Sequence, residues 1–174
     1  MNPRWTQRNP RLAWLAAVAI ILLLAQTTKS YFSNALKLGE RILVSDWFNF
    51  VHLLNTGAAF SLLADAGGWQ RWFLIAVSVL VVGGVAVVCL ARQAEPLDRL
   101  VGAFVVGGGG GNLVDRIQTG AVVDFLDIHW RDIHWPAFNL ADIFIVCAAV
   151  TWCLASLKAP PRPPKQKIPK DLPS

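Results

Sequence analysis

"WFLIAVSVLVVGGVAVVCLA", residues 72–91, is a run of 20 residues without a charge, lying between Arg71 and Arg92. About 20 residues at about 1.5 Å each cross the roughly 30 Å hydrocarbon core of a bilayer, so this stretch reads as a membrane-spanning helix. Working outward, uncharged runs of 17 residues between Arg11 and Lys29, 15 between Arg99 and Asp115, and 15 between Asp142 and Lys158 give three more candidates. A hydrophobic fraction of 55% with only 16% charged residues is too apolar for a water-soluble globule of 174 residues. The expected fold is an all-α membrane protein of four transmembrane helices, at about 12–29, 70–91, 97–116 and 139–157. Residues 1–11 form a short N-terminal segment, and 158–174 a disordered basic tail.

Basic residues set the orientation. Arg4, Arg8 and Arg11 precede span one, Arg92 and Arg99 flank the connection after span two, and Lys158, Arg162, Lys165, Lys167 and Lys170 follow span four. These are ten of the sixteen Lys and Arg, and they place both termini in the cytoplasm. Span one reads as a retained span, because no small-x-small cleavage site follows Leu24. The net charge of +5 needs no nucleic-acid partner, since the tail touches anionic lipid at most. Cys89, Cys147 and Cys153 sit in apolar runs as small hydrophobes and imply no disulfide framework or zinc motif.

The two outer connections, about 30–69 and 117–138, differ in character. "RILVSDWFNFVHLLNTG" suggests short strands with "NTG" as the turn, and "AAFSLLADAGGW" a short interfacial helix. The second, with Gly120 and Pro136 as punctuation, reads as mixed extended chain. Both are hydrophobic enough to fold back over the membrane face as a platform or lid. The glycine run Gly107 to Gly111 lacks the Lys and Ser/Thr of a phosphate loop. It reads instead as a small-xxx-small face for close helix approach, deformable and open to a local break.

Span three runs outward and ends in Asn112, Asp115 and Arg116; span four enters from the same side with Asn139 and Asp142. Asp124 returns toward the membrane between them, so several ionisable groups converge at one depth where desolvation is costly. If Asp124 and Asp142 stand about 4 Å apart at an effective dielectric near 20, their repulsion is about 4 kcal/mol, or roughly three pKa units. One then keeps a proton at neutral pH while the other is ionised, the division of labour of an aspartic protease. Plainer readings stand beside this one. Asp142 can cap span four, and Asp124 can pair with Arg116. Asp115 and Arg116 read as structural or orienting, Asp127 and Asp132 as solvated loop charges, and His52 as an interfacial loop residue. His129 and His134 lack a convincing third metal ligand.

The ordered blocks "QTTK" (26–29), "NTGAAFS" (55–61), "GNLVDR" (111–116), "GAVVDF" (120–125) and "FNLADIFI" (138–145) resemble lipoprotein signal peptidase, or signal peptidase II, over residues 12–157. The resemblance implies a bacterial inner-membrane aspartic endopeptidase that cuts prolipoproteins before a diacylglyceryl-modified cysteine. It implies Asp124 and Asp142 as the catalytic dyad, and Asn55, Asn112, Arg116 and Asn139 as orienting residues, with Lys29 near the mouth. It further implies an outer β-cradle and periplasmic helix against the lipidated substrate, no metal or organic cofactor, and action as a monomer. Two positions depart from the family pattern. Ala25 stands where the family has Asp, which implies a weakened polar network and opens the alternative of a homologue that binds precursor without efficient cleavage. Restoring the carboxylate is then expected to raise activity or stability. Gly109 and Gly110 replace larger residues before "GN".

Overall fold

A computed structural model describes residues 9–58, 67–91 and 94–158. The protein is mostly helical, with elements in the order α1 (Pro10–Ala35), β1 (Arg41–Ser45), β2 (Phe48–Asn55), α2 (Trp69–Leu90), α3 (Pro96–Gln118), β3 (Val122–Trp130), β4 (Ile133–His134) and α4 (Leu140–Lys158). By length and composition α1, α2 and α4 are apolar enough to cross a membrane. Their outward side chains fit that reading, for Leu80 and Val87 of α2 are 74% and 72% exposed and have no protein to pack against. The expected interfacial helix falls largely on residues 59–66, outside the described residues.

The less apolar α3 is the centre of the bundle, packed by α1, α2 and α4. Its glycines make this possible. A Cβ at Gly107 would lie 2.6 Å from Ile21 Cβ of α1, one at Gly108 2.6 Å from the Ala141 carbonyl oxygen of α4, and one at Gly111 3.1 Å from Ala25 Cβ. The close-approach face expected at Gly107 and Gly111 thus meets α1, and Gly108 adds a second face toward α4. No break occurs at the glycine run: α3 is continuous from Pro96 to Gln118, because neighbours on three sides hold backbone that glycine alone would leave loose.

The strands form an antiparallel sheet in the order β1-β2-β3-β4. The first hairpin turns at Asp46–Trp47 rather than at "NTG". Asn55-Thr56-Gly57 instead closes β2, where Asn55 Oδ1 accepts the Gly57 N–H at 2.9 Å. Helix α1 continues past the expected end at residue 29, and its last turns carry the sheet: Phe32 stacks on Phe50 of β2 and on Phe125 of β3, each at 4.6 Å between ring centres. Pairing of β2 with β3 sets Leu53 opposite Asp124. The loop readings of His52 and Asp127 are corrected. His52 lies in β2, its Nδ1 2.9 Å from the Leu36 carbonyl oxygen. Asp127 is buried in β3, where its carboxylate accepts from Asn49 Nδ2 at 2.9 Å and meets His134 Nδ1 at 2.8 Å.

Candidate active site

Three elements bring the two carboxylates and their nearest partners together: the end of α3, the start of α4, and β3. Asn139 begins α4. Its Oδ1 accepts the backbone N–H of Ala141 at 2.8 Å and of Asp142 at 3.3 Å, while an Asp142 oxygen accepts the Asn139 backbone N–H at 3.0 Å. This reciprocal arrangement satisfies the free N–H groups of a helix start. Asp142 is therefore a cap, and its other oxygen is still free to accept from Asn112 Nδ2 at 2.7 Å.

The same Asn139 reaches the second carboxylate. Its Nδ2 donates to Asp124 Oδ1 at 2.7 Å and to Asn112 Oδ1 at 3.3 Å, and Asn139 is fully buried. The remaining oxygen of Asp124 accepts from Asn55 Nδ2 at 3.3 Å. Burial pushes the Asp124 carboxyl up to about 7, with the Asp142 charge acting in the same direction; hydrogen bonds from Asn139 and Asn55, and the Lys29 ammonium, hold it from rising further. The salt bridge considered between Asp124 and Arg116 does not form among the described residues. Arg116 instead donates from Nη2 to the Gly57 carbonyl at 2.7 Å and from Nη1 to that of Asn112 at 3.4 Å, with Nε buried and unpartnered there.

Lys29 is not at an open mouth but 2% exposed. Its ammonium donates to Asn112 Oδ1 at 2.6 Å and to Asp115 Oδ2 at 2.8 Å. Asp115 also takes Gln26 Nε2 at 2.9 Å and the Val123 N–H at 3.1 Å, so it ties α1, α3 and β3 together. Neither Gln26 nor this hub role stood out in the sequence, although Gln26 opens the "QTTK" block. Arg71 of α2 was also missed: it donates to the carbonyls of Arg116 at 3.0 Å and Ile117 at 2.8 Å, closing the end of α3. Ala25 is fully buried. One turn further along α1, Lys29 is paired with Asp115 of α3.

Asp124 and Asp142 both line a cavity of about 610 Å³, as do Asn55, Asn112 and Arg116. Its lining is polar where Asn55, Asn112, Arg116 and the two carboxylates meet, and apolar between α2 (Leu74, Val77) and α4 (Ile143, Val146). Two carboxylates at the polar end of an apolar cavity, joined through one amide, can share a proton and exchange it with a water or a carbonyl between them. Among the described residues no three His, Cys, Asp or Glu side chains are placed to hold a metal ion; His134 is committed to Asp127.

Residues 17–158 match the family model described as signal peptidase (SPase) II. The chain is 47% identical over 156 residues to a lipoprotein signal peptidase of Pseudomonas putida, covering 87% of this chain and 91% of that protein. It is 45% identical over 142 residues to one from Tolumonas auensis, covering 80% and 85%. A solved bacterial membrane enzyme shares the fold with a TM-score of 0.75 at 22% identity, covering 90% of this chain and 94% of its own. Most of the chain, including all the polar residues gathered at the cavity, lies within the matched region, and the protein belongs to the signal peptidase II family.

Proposed function

We propose that this protein is an aspartic endopeptidase of the bacterial inner membrane that removes signal peptides from diacylglyceryl-modified prolipoproteins, cutting before the lipidated cysteine. The single observation that carries the reading is Asn139, whose side chain holds Asp124 while its backbone N–H holds Asp142, the two carboxylates lining one cavity. Water lies between the two carboxylates and the scissile carbonyl. Asp142 takes a proton from the water as its oxygen attacks; Asp124, which keeps its proton up to about pH 7, gives it to the carbonyl oxygen. On collapse of the tetrahedral intermediate the proton on Asp142 passes to the leaving amine, and Asp124 regains its own. Asn112, Asn55 and Arg116 orient the carboxylates and the bound chain.

In this reading α3 is a fourth span. It tolerates glycines and polar ends because three neighbours shield it from lipid. Four spans put both termini in the cytoplasm and the sheet and the two carboxylates on the periplasmic side. The chain acts as a monomer on a lipidated precursor presented by the membrane, with the sheet as a cradle. The alternative, capture of precursor without efficient cleavage, rests on Ala25; the pairing of Lys29 with Asp115 favours the peptidase reading over it.

A gel-shift assay on a lipidated prolipoprotein tests the mechanism with the unmutated protein, Asp124→Asn and Asp142→Asn side by side. Loss of cleavage in both variants is expected. Cleavage that survives in either one removes that residue from the chemistry.

A further inference from the structure

Between Arg71 and Arg92, Ser78 is the sole side chain bearing a hydroxyl, amide or charge. It is half-buried, and with Leu74 and Val77 it forms the α2 wall of the cavity that Asp142, Val146 and Cys147 line from α4. Helical hydroxyls in apolar surroundings ordinarily bond back to their own helix. Several do so here: Thr27 donates to the Leu23 carbonyl at 2.7 Å, Thr28 to Leu24 at 2.8 Å, Ser33 to Lys29 at 2.9 Å and Ser156 to Trp152 at 2.8 Å. Ser78 makes no hydrogen bond among the described residues. A hydroxyl with no partner at membrane depth is costly, and a bound molecule can remove that cost.

Its depth follows from contacts already given. Arg71 sits level with Arg116, whose carbonyl it binds, and Asp142 level with Asn112, one turn deeper along α3. Counting down α2 from Arg71, Ser78 lies roughly one further turn, about 5 Å, below the carboxylates. A precursor cut at the carboxylates must be extended there, so any signal helix beneath it ends just below the cut, and the last four carbonyls of a helix have no intrahelical partner. Ser78 stands where those carbonyls pass.

We propose that Ser78 is a specificity-determining residue whose hydroxyl donates a hydrogen bond to a carbonyl oxygen of the bound precursor about one helical turn below the cleaved bond. This rests on the peptidase reading above. Two parts of the precursor offer such an oxygen: the peptide carbonyls at the end of the signal helix, and the ester carbonyls of the lipid.

The test uses the full chain in detergent micelles with two synthetic precursors, one carrying the ester-linked lipid and one an ether-linked analogue without ester carbonyls. Ser78→Ala is expected to raise KM about three- to tenfold, the size of one net hydrogen bond, with kcat nearly unchanged. Ser78→Thr, which keeps the hydroxyl, is expected to restore KM. An equal rise with both precursors identifies the peptide carbonyl as the acceptor; a rise confined to the ester-linked one identifies the lipid. Unchanged KM with both precursors, or a rise that Thr does not reverse, overturns the proposal. Absence of cleavage by the unmutated chain would count against the peptidase reading instead; the precursor's Kd for the unmutated chain, Ser78→Ala and Ser78→Thr then decides the role of Ser78 by the same criteria.

Discussion

Replacing Asn139 separates the two tasks that the site assigns to one side chain. Asn139→Ala removes the acceptor that caps α4 and the donor that holds Asp124. Loss of an N-cap costs about 0.5–2 kcal/mol, and loss of a buried hydrogen bond to a charged group, which Asp124 becomes above about pH 7, about 1.5–3 kcal/mol, so stability above that pH is expected to fall by roughly 2–5 kcal/mol. Asn139→Ser keeps an oxygen for the helix start but is too short to reach Asp124, and is expected to recover the capping share only. The donor has a second effect, on protonation. It favours the ionised form of Asp124, so without it the carboxyl rises further above about 7; at 1.36 kcal/mol per pKa unit, the lost bond corresponds to about one unit or more. With the protonated Asp124 as the proton donor, the alkaline fall of kcat/KM is expected to move to higher pH by about that much in both variants, while the lower melting temperature of the two belongs to Ala. The assay is cleavage of a lipidated precursor from pH 5 to 9, with melting measured in the same detergent. An alkaline limb that stays in place in both variants refutes the assignment of the proton to Asp124.

Two further outcomes follow from burial and packing. Because the Asp124 carboxyl is raised from 3.8 to about 7, the folded state binds more protons than the unfolded one in that window. Its contribution, roughly 4 kcal/mol, is present at acid pH and lost as pH rises through about 7; melting at pH 8 is expected below that at pH 5, with a shallower slope in Asp124→Asn, and an equal slope in the variant rejects the shift. Gly108→Ala would set a Cβ 2.6 Å from the Ala141 carbonyl oxygen, next to Asp142, whereas Gly110→Ala meets only Leu22 Cδ1 at 3.8 Å. Overpacking of this kind costs about 1–3 kcal/mol and displaces the start of α4, so cleavage and melting temperature are expected to drop for Gly108→Ala and hold for Gly110→Ala; equal behaviour of the two contradicts the close α3–α4 contact.

Asp142 shows how two readings of one residue need not exclude each other. A carboxylate in the first turn of an apolar helix suggests a cap or a functional group, and here one oxygen caps while the other joins the site. Asp127 shows the opposite case. In "HWRDIH" and its flanks it resembles a loop charge, yet pairing of β2 with β3 buries it against Asn49, a residue 78 positions earlier in the chain. No local pattern carries that information. Lys29 was expected near the mouth and not as a buried residue, since its burial depends on Asp115 arriving from α3.

By itself the sequence determined where apolar runs lie, which side the basic residues favour, and which polar residues interrupt the runs, because hydropathy, charge and helix length act along the chain. The five ordered blocks added the family. Only the tertiary structure decided that α3 is the central helix and stays intact through five glycines, that Asn139 serves both carboxylates, and that Gln26, Asp115 and Arg71 brace the site. Those outcomes depend on groups distant in sequence meeting at particular angles and distances. The energy of a buried hydrogen bond is fixed by that meeting and not by either residue alone.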